Sequence, residues 1–528
     1  MNYKVLITII IFLLSSNLLT AQDSLYLYTV FHGENDQDQF GVVENVGDVN
    51  GDGFEDLVVG APAYITGAES GGYAKLYFGG ADFDTLADMT FRDYENKKGF
   101  GYTIAGNGDL NGDGYSDFAI ANPYSGDFRT GKVYVYFGGS QLDTIPNLTL
   151  TLNPNEYFYT QFGFSMTMSG DINGDGYDDL VVSAPQDDWD RHGEVFIYFG
   201  GENMDTIPDV NLIYPKPLQE FGLYLDYISD INEDNIDDLL ISSYPVDNDT
   251  TAFIFFGNKG NDIGFNNFYV FDEPLGAIVS ILGDINGDGN TDFAVGNKVF
   301  LPPLTNNGFS KLTIHNEDNI SFGIRSGIPD LNDDEYDDFI CLSTKGREEN
   351  ILIVLGGVEV SINTAIVLKD PDDKTGFGRY VTSFSKLFSN NVVSLIIGDK
   401  ETTDYTDHGT GKVFIYNNDL INTIGVGESS GTITDFNISQ NYPNPFNPTT
   451  KIKFSIANVG DEDFRPLQTV KLIVYDILGR EIATLVNECL QPGIYEVEFN
   501  AKGFTSGVYY YRIESGNFSD MKKMILLK

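Results

Sequence analysis

Nine-residue segments of the form D-x-N-x-D-x-x-x-D occur six times in this chain. They hold Asp48, Asn50, Asp52 and Asp56; Asp109, Asn111, Asp113 and Asp117; Asp171, Asn173, Asp175 and Asp179; Asp230, Asn232, Asp234 and Asp238; Asp284, Asn286, Asp288 and Asp292; and Asp330, Asn332, Asp334 and Asp338. Side-chain oxygens at positions 1, 3, 5 and 9, with the backbone carbonyl of position 7 (Phe54, Tyr115, Tyr177, Ile236, Asn290 and Tyr336), can wrap a hard cation. Calcium takes roughly 6–8 oxygens at about 2.3–2.6 Å and tolerates irregular geometry, so calcium is the expected cofactor, with up to six ions, one per loop. Three carboxylates this close repel one another without a cation, and six copies in register favour a metal over a solvated acidic turn.

The flanking residues say what positions these loops. An EF-hand needs a bidentate Glu at position 12 and helices on both sides. Position 12 here is Val59, Ile120, Val182, Ile241, Val295 and Cys341, all apolar and all inside short β-rich runs such as Asp56-Leu-Val-Val-Gly60. Each loop therefore feeds a buried strand, which also argues against dockerin-type helical repeats. At position 6 the usual Gly becomes Asn235 in the fourth loop and Glu335 in the sixth. Asn tolerates positive φ and Glu does so at a cost, so the sixth loop is expected to be the weakest or most distorted.

The loops sit in a repeat with a period of about 55–60 residues. Units open at Phe40-Gly41, Phe100-Gly101, Phe162-Gly163, Phe221-Gly222, Leu275-Gly276, Phe322-Gly323 and Phe377-Gly378. A strand, the acidic loop and an apolar second strand follow, the last ending at Gly60-Ala-Pro62, Ala121-Asn-Pro123, Ser183-Ala-Pro185 or Ser243-Tyr-Pro245. Third strands are expected at Gly72–Gly80, Gly131–Gly139, Gly193–Gly201, Thr251–Gly257, Phe309–His315, Asn350–Gly357 and Gly411–Asn417, with weaker fourth strands such as Asn147–Leu152 and Val210–Tyr214. Four strands per unit, seven units and almost no helix signal describe an all-β, seven-bladed β-propeller. The seventh unit has Ser385–Asn391 in place of an acidic loop, and Leu25–Phe31 is expected to close the ring against the last blade.

Phe-Gly, the calcium loop and Gly-Ala-Pro, in that order, resemble the FG-GAP repeats of the integrin α-subunit head. The resemblance covers roughly residues 25–420 and is strongest in units one to three. It implies that the loops join first to second strands on the lower rim and stiffen the blades, while the opposite face binds partners. The variable loops after the Gly-Ala-Pro positions would lie on that upper face, where Tyr64, Tyr124, Arg129, Trp189, Arg191 and Tyr405 are the candidate ligand-binding residues. Trp189, the one Trp, sits in Asp187-Asp-Trp-Asp-Arg191. It fits a recognition hot spot or a sugar-stacking platform, and equally a ring packed on a neighbouring blade.

Composition bounds the rest. The 528 residues carry 78 acidic against 31 basic side chains, a formal charge of −47, which repels nucleic acid and anionic lipid. Only Cys341 and Cys489 are present, in what read as different domains, so a disulfide is not expected. Residues 1–21 have the form of a secretory signal: Lys4, an apolar Val5–Leu14 and Leu19-Thr20-Ala21. That run is too short to span a bilayer, and no later segment approaches a span, so no transmembrane segment is expected after signal removal.

The domain plan is thus a signal at 1–21, a propeller over 22–420, a linker over 421–437 and a small C-terminal β-sandwich over 438–528. The last has strand patterns at Thr450–Ile456, Thr469–Tyr475, Gly493–Phe499, Gly507–Glu514 and Met521–Leu527. Tyr442-Pro-Asn-Pro-Phe-Asn-Pro448, Val474-Tyr-Asp-Ile-Leu-Gly479, Gly507-Val-Tyr-Tyr-Tyr-Arg512 and Lys522-Lys-Met-Ile-Leu-Leu-Lys528 resemble the type A sorting domain of the type IX secretion system. That resemblance implies the type IX machinery as a partner and a final location at the outer surface of, or outside, a Gram-negative, Bacteroidota-like bacterium.

No catalytic constellation is visible. His32, His192, His315 and His408 are isolated, and neither a G-x-S-x-G elbow nor H-E-x-x-H occurs. The leading expectation is an exported, calcium-binding propeller that binds an extracellular protein or glycan, an adhesion module rather than an enzyme. A propeller-type polysaccharide lyase or hydrolase, and a structural surface-layer component, are the alternatives.

Overall fold

The computed structural model describes residues 25–527 other than 64–70, 94–97, 186–192, 215–219, 244–251, 272–277, 370–375, 389–392, 401–409, 418–436, 457–467 and stretches of one to three residues. Seven four-stranded antiparallel sheets succeed one another along residues 26–417. Within a blade the strands pair in chain order. Blade one, for example, is Val42–Asn45, Leu57–Ala61, Tyr73–Tyr77 and Met89–Arg92. Second strands read as unbroken apolar runs because both their faces are covered: Leu57–Ala61, Asp117–Asn122 and Asp179–Ala184 are buried at every position. Fourth strands such as Leu148–Thr151 alternate, with Leu150 buried and Thr149 and Thr151 exposed.

The apolar cores lie between blades rather than within them. One packs Ala105, Val133 and Leu150 of blade two on Met166, Leu180 and Phe196 of blade three. Another joins Val43, Leu57 and Tyr73 of blade one to Phe384, Ile396 and Val413 of blade seven. Each neighbouring pair shares such a core, so the sheets form a closed ring. Closure is completed as expected by the N-terminal strand. Tyr26–His32 pairs antiparallel with Lys412–Asn417 and becomes the outer strand of blade seven.

Blade five corrects the strand assignment. Its third strand is Lys298–Thr305, and Phe309 lies on the fourth, Gly308–Leu312. Val295 pairs Lys298 across a two-residue turn, so no long variable loop separates the second and third strands there. Leu275-Gly276 falls outside the described residues, as do residues 1–21.

Beyond the ring, Asn437–Ile438, Thr449–Ile456 and Gly493–Asn500 form one sheet, and Glu481–Leu490, Gln468–Tyr475, Gly507–Ser515 and Phe518–Leu526 another. Ile452, Phe454, Leu472, Tyr511 and Met524 meet in a single core between them, a sandwich with two strands more than the sequence patterns suggested. Cys341 is a free, buried thiol of blade six, while Cys489 belongs to the tail strand Glu481–Leu490. Among the described residues no helix is long and apolar enough to cross a membrane.

The central channel, lined by first strands, holds a carboxylate pair. Burial pushes Glu44 up to about 8, with the like charge of Asp226 adding to it, and burial likewise pushes Asp226 up to about 7. A carboxyl whose folded pKa is raised contributes stability that is present below its unfolded pKa and lost as pH rises through about 8. Glu44→Gln is therefore expected to match the parent near pH 4, below the unfolded value, and to melt higher than it at pH 9. Equal melting differences at both pH values in a paired thermal scan would refute this.

Candidate metal centres

Each acidic loop joins a first strand to a second and folds on the same hydrogen-bond template. Asp48 Oδ1 accepts the N–H groups of Gly51 (2.7 Å) and Asp52 (3.0 Å), and its Oδ2 accepts that of Gly53 (2.8 Å). Asn50 Oδ1 accepts from the Asp52 N–H (2.8 Å), and Asp52 Oδ1 from the Phe54 N–H (3.0 Å). Asp109, Asp171 and Asp284 repeat the first-position pattern onto Gly112, Gly174 and Gly287 and onward to Gly114, Gly176 and Gly289. Asp230 and Asp330 hold the N–H groups of Asn235 and Glu335 in the same way.

Asp, Ser and Asn favour such side-chain-to-backbone turns, so the motif prescribes its own loop. Position 6 needs positive φ: Gly53 has 92°, Asn235 65° and Glu335 73°. In the sixth loop Asp330 still holds the Glu335 N–H, and Glu335 carries the backbone strain of a positive φ.

The ninth residue is the anchor. Asp56, Asp117, Asp179, Asp238, Asp292 and Asp338 are all fully buried. Asp56 Oδ2 accepts the Val49 N–H (2.9 Å) and Oδ1 that of Gly79 (2.8 Å), tying the loop to the end of the third strand. Gly138, Gly200, Gly257 and Gly356 do the same for Asp117, Asp179, Asp238 and Asp338. In blade five, with its displaced third strand, Asp292 Oδ1 takes Asn286 Nδ2 instead (3.5 Å).

Burial raises the ninth-position carboxyls most, and the charges at positions 1 and 5 raise them further, against the lowering pull of the backbone N–H groups. Asp56, Asp117 and Asp338 are pushed up to about 7 and Asp179, Asp238 and Asp292 to about 8.

Among the described residues, no three His, Cys, Asp or Glu side chains converge closely enough to hold a metal. The first and ninth carboxylates are turned onto backbone amides instead. The residues nonetheless fit a hard divalent cation. The donors at positions 1, 3, 5, 7 and 9 are all oxygens, and the ninth carboxylate, raised by burial and further by the charges at positions 1 and 5, lacks a positive charge that a cation would supply.

Two contacts between loops were missed in the sequence. The position-7 side chain of one loop covers the position-4 glycine of the loop before it. A Cβ on Gly51 would overlap the Tyr115 ring, one on Gly112 the Tyr177 ring and one on Gly287 the Tyr336 ring. Position 8 reaches back as well. Asp178 Oδ2 accepts the Asp109 N–H (2.7 Å), Asp237 Oδ2 that of Asp171 (3.2 Å) and Asp337 Oδ2 that of Asp284 (2.8 Å). Glu55 plays this part toward blade seven, accepting from Ser385 N (2.8 Å) and Lys386 N (2.7 Å) in the segment that replaces an acidic loop. The acids and aromatics at positions 7 and 8 were the available signal.

Of the candidate ligand residues, Tyr124 and Arg129 come together at the Phe-Gly end of the ring. The Arg129 guanidinium lies 5.9 Å from the Tyr124 ring centre, and Tyr124 meets Tyr102 edge-on at 5.3 Å. Tyr64, Trp189, Arg191 and Tyr405 lie outside the described residues.

Comparison with known proteins agrees with this architecture. Residues 40–77, 100–136 and 162–199 match the FG-GAP repeat, and residues 440–527 match the secretion system C-terminal sorting domain. Mouse integrin alpha-IIb is 38% identical over 160 residues (29% of this chain, 15% of that protein). Drosophila melanogaster integrin alpha-PS3 is 30% identical over 167 residues (31% of this chain, 15% of that protein). Xenopus laevis integrin alpha-5 is 31% identical over 177 residues (32% and 16%). The chain thus spans 15–16% of the length of these relatives. It carries FG-GAP repeats in its first three blades and a secretion system C-terminal sorting domain at residues 440–527, and that domain indicates a secreted or cell-surface protein of the Bacteroidota kind.

Proposed function

We propose that this chain is an adhesion-type binding propeller whose six acidic loops each take one calcium ion. Positions 1, 3, 5 and 9 would give side-chain oxygens and position 7 its carbonyl. The cations brace the lower rim, and the Phe-Gly rim meets an extracellular protein or glycan. A signal at residues 1–21 and the type IX machinery deliver it.

One observation carries the reading: the two rims are chemically segregated. The acidic loops occupy one end of every first strand in blades one to six, several of them tied to the next loop, while aromatic and basic side chains gather at the other end. The integrin likeness supports a binding role.

Incubating the full-length protein with polysaccharides and matrix proteins, in calcium and in chelator, tests it. Calcium-dependent retention without released fragments is expected. Failure to retain any of them, or release of cleaved sugar, would replace the reading. Asp52→Ala and Asp175→Ala are each expected to remove one ion from the calorimetric stoichiometry and to leave the fold intact, costing about 1–2 kcal/mol at saturating calcium. An unchanged calcium count in either variant would show that its loop holds none.

A further inference from the structure

Lys400 is a buried cation in an unusual place. It follows the blade-seven strand Ser394–Asp399, whose last residue pairs with Phe377, so it lies at the Phe-Gly end of the ring. Only 7% of its surface is accessible. Its Nζ donates to Tyr380 Oη (2.8 Å), sits 4.1 Å from the Tyr380 ring centre and 5.3 Å from that of Tyr102. Among the described residues no carboxylate forms an ion pair with it, in a chain carrying 78 acidic side chains. A buried amine without a counter-ion is costly to charge, and a bound anion would lower that cost.

Most of the neighbours are tyrosines and arginines, with one acid, Glu220, beside Tyr224. Tyr102, Tyr224, Arg325, Arg379 and Tyr380 all stand within two residues of a Phe-Gly glycine, on blades two, four, six and seven. Their common position in the repeat brings them to one end of the channel. Arg325, Tyr380, Arg379 and, as the one acid, Glu220 act electrostatically on Tyr224, and the like charge of Arg379 acts on Lys400. Arg379 and Tyr224 are exposed and Lys400 is deepest, so the mouth has a basic floor, a basic rim and tyrosine walls.

We propose that this mouth binds a uronate unit of an acidic polysaccharide, its carboxylate meeting Lys400 and Arg379 and its ring stacking on the tyrosine faces. The proposal deepens the binding reading above and rests on it. A sugar chain with one carboxylate per ring suits cations interleaved with flat aromatic faces. An acidic peptide would also need backbone hydrogen-bond partners, which the side chains named here do not offer in a strand-like array. Burial, helped by Arg379, draws Lys400 down to about 7, so a bound anion would restore a charge that burial disfavours.

The test is titration of the full-length protein in calcium with trigalacturonate, a neutral cellotriose control and a hexa-aspartate peptide. Lys400→Met removes the buried charge while keeping the packing, and Arg379→Gln alters only an exposed rim. Both are expected to melt like the parent and to weaken trigalacturonate binding about tenfold or more, with cellotriose unbound. Arg379→Gln alone decides the outcome should Lys400→Met fail to fold. Unchanged affinity in the folded variants, no trigalacturonate binding, or tighter binding of the peptide would overturn the proposal. If the variants still retain whatever partner the wider array identifies, the binding reading survives and only this site falls.

Discussion

Withdrawing calcium is expected to lower the melting temperature of the ring by about 10 °C. The ion binds the folded loops and not the unfolded chain, so each occupied site adds RT ln(1 + [L]/Kd), about 1.4 kcal/mol at a calcium concentration ten times Kd. Extracellular modules hold calcium at roughly 10⁻⁴–10⁻³ M, so a few millimolar calcium reaches that regime at the tighter end. Six loops together give about 8 kcal/mol, and unfolding entropy for a ring of some 400 residues is about 0.8 kcal/mol/K.

The contributions are expected to combine because the apolar cores are shared between blades. No blade can unfold without stripping its neighbours. The loops are coupled too, through Asp178, Asp237 and Asp337 and through the rings over Gly51 and Gly112. Magnesium should restore less of the shift, since it demands near-octahedral geometry that five fixed oxygens do not provide. Scanning calorimetry in calcium, in chelator and in chelator back-titrated with magnesium decides it. Identical melting in calcium and chelator would mean that the loops are held by their hydrogen bonds alone.

The parts of this design that depend on spacing were legible in the chain. Asp at positions 1 and 9 determines which amides are accepted, and the Gly or Asn at position 6 announces its positive φ. The fully apolar second strands announce burial on both faces. Ring closure was legible because Leu25–Phe31 had no partner within its own unit.

Other features depended on tertiary placement. Blade five was misread because Pro302-Pro303 argues against a strand, and the ladder between Lys298–Thr305 and Gly308–Leu312 is indeed interrupted between Leu301 and Thr305. The tail strand Glu481–Leu490 was missed because its register slips twice against Gln468–Tyr475, which blurs the alternation that marks a strand. Lys400 was invisible for a different reason. A lone Lys after a strand carries no periodicity, and only the ring brings Tyr102, from a blade almost 300 residues away in sequence, beside it.

Ending the chain after residue 437 is expected to abolish delivery to the cell surface while leaving the propeller as stable and as calcium-responsive as before. The sorting tail buries its own core: Ile438, Phe446, Ile452, Leu472, Tyr511 and Leu526 pack on one another, and among the described residues the interblade cores draw on no tail residue. Its edge is sealed internally as well, with Phe446 bridging Leu526 and accepting the Leu527 N–H (3.0 Å). A domain with a separate core folds and melts on its own account, so its removal should cost the ring little. Cell fractionation should then find the truncated protein in the periplasm, and the purified product should keep the parent's calcium-dependent melting. In the converse fusion, residues 438–528 joined to a periplasmic reporter should send that reporter to the surface. Surface display of the truncated chain would place the export signal within the ring. Loss of the calcium response on truncation would show that the two cores stabilise each other.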